Sequence, residues 1–439
     1  MKTIRYPKKE NWQEITSRPT IDTRFLERTV ANILQDVKAH GDAALRHCAR
    51  HFDKVELDNF LVSEEEFAEA DRQISVELKN SIQTAKANIE KFHAAQIEKN
   101  EVIETTPGVF CWRKSVAIEK VGLYIPAGTA PLFSTVLMLA IPAKLAGCRE
   151  IILCSPPDTN GKINAATLYS ARACGATKVF KIGGAQAVGA LGFGTETVPK
   201  VYKIFGPGNQ FVTEAKQQIS KTGTAIDMPA GPSEVAVLAD ETCVPAFVAA
   251  DLLAQAEHGV DSQVLLVTNS ENVITETLVE LEKQLVELPR RQIAGKALEN
   301  STAVLVKSLD DGIELLNEYA AEHLIIATEN ADDIAEKITN AGSVFIGNYS
   351  CESAGDYASG TNHTLPTGGY AKAFGGVALD SFIKKITFQK LTADGIVNLG
   401  RTIECMAEAE GLDAHKNAVS LRLRKLATNY TNGTNEELN

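Results

Sequence analysis

The sequence predicts an α/β protein built from two doubly wound, Rossmann-like parallel sheets, one inserted in the other, with helical N-terminal and C-terminal extensions. Three observations carry this expectation. Short β-branched runs alternate with helically periodic stretches, the pattern of βαβ units in parallel sheets. Nine such runs occur, at 121–125, 151–154, 178–182, 201–205, 235–238, 264–267, 303–306, 324–327 and 344–346, too many for one comfortable sheet. The length of 439 residues also predicts about three units, or two large ones, on a prior of roughly 150 residues per domain.

Taken in order, residues 1–22 form an N-terminal extension that runs straight into charge at Lys8-Lys9 without the apolar stretch of a signal peptide. From about Ile21 to Gln96 apolar residues recur at helical spacing (Leu26, Val30, Ile33, Leu34, Val37), Gly41-Asp42 marks a break, and Ser63-Glu-Glu-Glu66 is a capping box. The nine runs follow. Residues 124–234 are expected to form the inserted α/β domain, and 23–123 with 235–377 the main one. The stretch 347–376 is long, glycine-rich and aperiodic, the mark of a functional loop. A helical tail is expected over 381–428, within a C-terminal arm of 378–439.

Composition narrows the function classes. Hydrophobic residues at 44% and charged residues at 23% place the chain among globular proteins. Lys plus Arg number 44 against 56 for Asp plus Glu, and the net charge of -12 argues against a nucleic-acid or anionic-membrane partner. The longest apolar run, 136–143, stops at Lys144 and is too short to cross a bilayer. The eight cysteines are dispersed, with no Cys-x-x-Cys pattern, so they read as free thiols in a reducing cytoplasm. Asn429 and Asn432 match the glycosylation sequon but lie in a polar tail.

Eight histidines occur, in two groups. His40, His47, His51 and His93 lie on the charged opening helices and read as surface residues. His258, His323, His363 and His415 sit in unusual contexts. Gln255 and His258, at i and i+3 near the end of a helix starting at Pro245, leave from one face and could share a metal ion. Asp356 lies in the glycine-rich loop, and His415 would complete a four-ligand N/O site. Capping and loop hydrogen bonds account for the same residue types. Glu322-His323, opening the run at 324, supplies two proton-transfer groups of different pKa, although such a pair also simply closes a helix. No Gly-x-Gly-x-x-Gly follows a strand. Gly183-Gly184-Ala-Gln186 and Gly206-Pro-Gly208-Asn209 are glycine turns from strand to helix, where backbone N–H groups can hold phosphate. Every α/β fold has such turns.

Several longer motifs go further. Val121-Gly-Leu-Tyr-Ile-Pro, Phe205-Gly-Pro-Gly-Asn, Asp227-Met-Pro-Ala-Gly-Pro-Ser233-Glu, Gln255-Ala-Glu-His-Gly, Ser353-Ala-Gly-Asp-Tyr-Ala-Ser-Gly-Thr-Asn-His363 and Ala414-His-Lys-Asn-Ala-Val resemble, in this order, the histidinol dehydrogenase family. The resemblance spans about residues 20–425. It implies oxidation of L-histidinol to L-histidine through the aldehyde, with two NAD molecules reduced and one zinc ion per site. By motif, it implies Gln255, His258, Asp356 and His415 as zinc ligands and Glu322 and His323 as the acid/base pair. Ser233, His363 and Glu410 then hold substrate, along with the ligand residues, and Tyr124, Gln186 and Asn209 contact NAD. This places zinc and the acid/base pair on the main domain and NAD on the inserted one. It also implies a homodimer whose C-terminal arm completes the partner's site. Two rivals share these residues: a zinc hydrolase without redox chemistry, and a non-catalytic α/β binding protein.

Overall fold

The computed structural model describes residues 1–18, 23–127, 130–229 and 231–433. The expected helix start at Ile21 and Ala230 of the Asp227–Ser233 motif lie outside them. The chain forms two compact units, Met1–Gln96 with Ile118–Phe382, and Ile97–Ala117 with Ile383–Asn439.

The first unit holds two parallel sheets. One has five strands in the spatial order Lys178–Lys181, Glu150–Ser155, Lys120–Tyr124, Lys203–Phe205, Ala225–Ile226. The other has six, in the order Lys2–Arg5, Thr302–Leu305, Gln263–Thr268, Glu234–Ala239, His323–Ala327, Ser343–Ile346. Every strand pairing in both is parallel. All nine anticipated runs are strands, because a strand covered on both faces needs apolar residues at nearly every position; Val235, Ala236, Val237 and Leu238 are all 0% exposed.

Helices cover both faces of each sheet. On the six-stranded sheet, Pro245–Ala256 and Glu271–Glu287 supply Val248, Leu252, Val273 and Ile274 to one core, while Leu309–Tyr319 supplies Ile313, Leu316 and Tyr319 to the other. The helical opening, grouped with this main half in the sequence reading, instead clothes the five-stranded sheet. Helix Thr23–Cys48 lays Leu26, Val30, Leu34 and Val37 on one side, and Val76–Ala94 lays Ile82, Ala85 and Ile89 on the other. The close fit has a steric reason: a Cβ on Gly189, in helix Gly184–Phe193, would come within 3.1 Å of Leu34. The break read at Gly41-Asp42 is a kink in the first helix, with Gly41 at φ 50° and ψ -127°.

The structure adds a strand to each extension. Lys2–Arg5 pairs with Thr302–Leu305 as an edge of the six-stranded sheet. In the second unit the tail, read as helical from Ser381, first contributes the strand Ile383–Leu391. That strand pairs antiparallel with Val109–Ala117, which pairs in turn with Val102–Thr106. Residues 97–117, assigned from sequence to the main α/β domain, therefore belong to this small antiparallel sheet. Most of its positions are at least partly solvent-exposed, so no continuous apolar run announces it. Helices Ala393–Ala409 and Asp413–Gly433 complete the unit. All eight cysteines are free thiols. Among the described residues no helix is long and apolar enough to cross a membrane.

Candidate active site

Each sheet winds outward from a switch point. In the five-stranded sheet it lies between Lys120–Tyr124 and Lys203–Phe205, whose carboxyl ends lead to Ile125 and Gly206. Open α/β sheets bind ligands at such a crevice. In the six-stranded sheet it lies between Glu234–Ala239 and His323–Ala327. Here the candidate groups do not stand at the carboxyl ends. Asp240 bridges that end, with Oδ2 accepting from the Glu329 N–H at 3.0 Å and Oδ1 from the Thr242 N–H at 2.9 Å. Glu322 and His323 stand at the opposite, amino end.

The register of these two central strands, with His323 facing Val235, brings Glu322 beside Glu234. The Glu234 N–H donates to Glu322 Oε2 at 3.0 Å. Asp356 does not sit in a structureless loop, as read from sequence, but on the short helix Glu352–Tyr357. Glu352 and Asp356, four residues apart, project from one face of it. His323 Nε2 lies 3.3 Å from Asp356 Oδ1, and Nδ1 lies 3.8 Å from Glu322 Oε2 and 4.0 Å from Glu352 Oε1. At the end of helix Pro245–Ala256, Gln255 Nε2 and His258 Nδ1 are 2.7 Å apart, as their spacing anticipated.

Six buried atoms here have no hydrogen-bond partner: Gln255 Oε1, both His323 nitrogens, both Glu352 oxygens and Asp356 Oδ1. Buried polar atoms are rarely left so, and a cluster of them marks a place built for a ligand. One ligating atom each from His323, Glu352 and Asp356 lies within 4.8 Å of the others, a spacing suited to a metal ion. Asp356 belongs both to this trio and to the ligand set implied by resemblance. Glu352 is the residue sequence reasoning missed; its one signal was the i, i+4 spacing to Asp356.

The electrostatics follow from burial among like charges. Burial pushes the Glu322 carboxyl up to about 8, with Glu234 and Asp356 adding to the rise. Burial also pushes Glu352 well above the usual range. Burial alone would lower His323, but Glu322, Glu352 and Asp356 outweigh it and hold the imidazole at about 10. Asp356 goes the other way: burial raises it, and the close His323 with the further imidazoles of His363 and His258 brings it below the ordinary carboxylate value. Burial lowers His258, and takes His363 down to about 4. His363 Nε2 lies 3.2 Å from Thr135 Oγ1.

The remaining candidates are spread more widely. Ser233, directly before the central strand, is half-buried, and its carbonyl accepts from the Gln263 N–H at 3.2 Å. Glu410 and His415 belong to the second unit and are exposed, His415 in the first turn of Asp413–Gly433. Tyr124 is buried, and its hydroxyl accepts from the Gly184 N–H at 3.1 Å. Gln186 is buried in the helix that Gly184 opens. Asn209 caps helix Gln210–Ser220, accepting from the N–H groups of Phe211 and Val212 at 3.1 and 3.2 Å.

Two doubly wound sheets, with carboxylates gathered around a buried imidazole at a switch point, define an α/β enzyme equipped for proton transfer. The chain matches the profile named "Histidinol dehydrogenase" over residues 16–423. It is 59% identical over 426 residues to the histidinol dehydrogenase of Bacteroides fragilis (strain YCH46), covering 97% of this chain and 100% of that one. Identity to the enzyme of the same name from Haemophilus influenzae (strain 86-028NP) is 54% over 401 residues, covering 91% and 93%. The crystal structure of histidinol dehydrogenase from Elizabethkingia anophelis superposes with a TM-score of 0.95 at 56% identity, covering 97% of this chain and 99% of that one. The chain belongs to the histidinol dehydrogenase family and is an oxidoreductase.

Proposed function

We propose that the protein oxidises L-histidinol to L-histidine through L-histidinaldehyde, a four-electron reaction that uses two NAD molecules and depends on zinc, as the last two steps of histidine biosynthesis in the cytoplasm. The observation that carries this reading is the buried Glu322–His323 pair, with Asp356 3.3 Å from the imidazole, in a family of dehydrogenases.

The residues present fit zinc. Gln255 Oε1 and Asp356 Oδ1 are buried oxygens without a partner, and the amide of Gln255 brings His258 with it. Imidazole and carboxylate are ordinary zinc donors, and the amide oxygen adds a neutral oxygen beside them. Gln255, His258 and Asp356 would hold the ion, with the partner subunit's His415 as fourth ligand in a homodimer. Bound there, zinc would orient the amino and imidazole nitrogens of histidinol, and by drawing on Asp356 would weaken one of the charges that keep His323 protonated. NAD, the hydride acceptor, suits the crevice between Tyr124 and Gly206 at the switch point of the five-stranded sheet, beside the starts of helices Gly184–Phe193 and Gln210–Ser220.

The chain's own residues then divide the proton work. In its neutral form His323 accepts the alcohol proton at Nε2 as the carbinol carbon gives up a hydride. Glu322 takes a proton from the water that adds to the aldehyde carbon, and the hydrate loses the second hydride to leave the carboxylate. The sum is one alcohol and one water converted to one carboxylate, two hydrides and three protons. Glu352 stands behind His323 and stabilises it as it charges. Ser233, His363 and Glu410 would hold the substrate.

The test is stoichiometry. Incubation with limiting L-histidinol should yield two NADH and one histidine per histidinol. A zinc hydrolase or a binding protein with this fold would produce no NADH, and that outcome overturns the reading.

A further inference from the structure

Asp227 opens one of the family motifs, yet no role above uses it. Its carboxylate follows the edge strand Ala225–Ile226, and it meets the Lys216 ammonium of helix Gln210–Ser220 in an ion pair whose side chains are 1% and 4% exposed. Taking two charges out of water is costly, so a buried pair is weak evidence for stability and asks for another reason. The hydrogen bonds supply one. The Gly206 N–H donates to Asp227 Oδ2 at 2.8 Å, and the Lys216 ammonium donates to the Gly206 carbonyl at 2.8 Å. Asp227 Oδ1 also accepts from the Met228 N–H at 2.8 Å. The pair thus grips both polar backbone atoms of one residue.

That residue has no side chain of its own to hold it. Gly206 has φ +125°, and a Cβ there would fall 2.1 Å from the Tyr124 carbonyl oxygen, so no side chain fits to anchor it. It is also the first residue past the strand at the switch point. Lys203 is close enough for its charge to act on Asp227, but its ammonium donates to the Ser381 carbonyl at 2.9 Å and leaves the Gly206 carbonyl to Lys216.

We propose that Lys216 and Asp227 are positioning residues that hold the loop Gly206-Pro-Gly-Asn209 in the conformation that receives the dinucleotide. The proposal rests on the reading of this crevice as the NAD site. Neither residue touches the reacting atoms. Both act through the peptide groups of Gly206, on a loop whose glycines otherwise leave it free to adopt other conformations.

Wild type, Lys216→Met, Asp227→Asn and the double variant are titrated with NADH by its fluorescence and with L-histidinol by calorimetry, once circular dichroism shows a native fold. The wild type should bind NADH. Each single variant should bind it about tenfold more weakly or worse, with L-histidinol affinity within about twofold of wild type. The double variant should lose less than the two single losses combined, because it leaves no lone buried charge. A merely structural role would weaken both ligands alike, so equal losses overturn the proposal, as does NADH binding within twofold of wild type in the folded singles. If the wild type itself fails to bind NADH, the nucleotide reading falls and takes this proposal with it. Should the singles not fold, hydrogen exchange of the wild type decides: NADH should slow exchange of the amides across 206–212, and an unaltered rate there overturns the proposal.

Discussion

Glu322→Gln separates the two halves of the reaction. Glutamine keeps the shape and one acceptor oxygen for the Glu234 N–H, which sits 3.0 Å from Glu322 Oε2, so the central strands should keep their register. What it removes is the base. In the aldehyde half-reaction, where Glu322 activates water, the loss should be roughly the 100- to 10,000-fold typical of a general base. In the alcohol half-reaction His323 keeps Asp356 at 3.3 Å and Glu352 at 4.0 Å, so the loss there should stay within about tenfold. The pH profile sharpens the contrast. With burial holding Glu322 at about 8, roughly a tenth of it is ionised at pH 7 and nine tenths at pH 9, so the wild-type aldehyde rate should rise about tenfold over that span. The variant should lose this rise. NADH formation is followed with L-histidinol and, separately, with added L-histidinaldehyde, from pH 7 to 9. Equal losses in both half-reactions, or an unchanged pH rise in the variant, refute the assignment.

Further expectations follow from other parts of the molecule. If His415 reaches the partner subunit's zinc, inactive His258→Ala and His415→Ala proteins unfolded and refolded together should regain roughly a quarter of wild-type activity, since half of random dimers are mixed and each mixed dimer holds one intact site; no recovery despite demonstrated mixed dimers shows that His415 serves its own chain. His363, pushed down to about 4 by burial from its ordinary 6.5, favours the folded state fully above the unfolded value, and this contribution is lost as pH falls through the folded one. His363→Gln should therefore show a smaller loss of stability between pH 7 and 4 in urea titrations, by at most about 3 kcal/mol and less for a ring that is only half-buried, and an identical acid loss in both proteins contradicts this. Gly206→Ala, which combines a left-handed φ with a Cβ 2.1 Å from a carbonyl oxygen, should cost at least about 2 kcal/mol by thermal unfolding, and a neutral result shows that the loop relaxes freely.

How much of this was legible beforehand depended on where each element is buried. Strands such as Glu234–Ala239 and Gln263–Thr268 are covered on both sides, and their composition announces it. Ile383–Leu391, with lysines at 384, 385 and 390, keeps most of its length in solvent, and its pairing with Val109–Ala117 arises from segments more than 260 residues apart. Lys2–Arg5, at the sheet edge, carries two charges in four residues. Within the site, local spacing was enough for Gln255 with His258 and for the adjacent Glu322-His323. The approach of Asp356 to His323 was not readable, because the helix Glu352–Tyr357 has too few turns to show a stripe and its partner lies on another element. Glu352 looked like any surface acid until the fold buried it. The place of the acid/base pair at the amino end of its sheet was legible, since Glu322-His323 opens the strand His323–Ala327.

The most direct measurement of the central claim is NAD reduction by L-histidinol with the metal content controlled. The purified protein should reduce NAD, and prolonged chelation that brings zinc below a tenth per chain by elemental analysis should remove the activity in proportion, with circular dichroism unchanged. Zinc returned at one equivalent should restore it, but not in Gln255→Ala or His258→Ala. Full activity in protein proven free of metal, or restored activity in those variants at the same zinc level, would contradict the account.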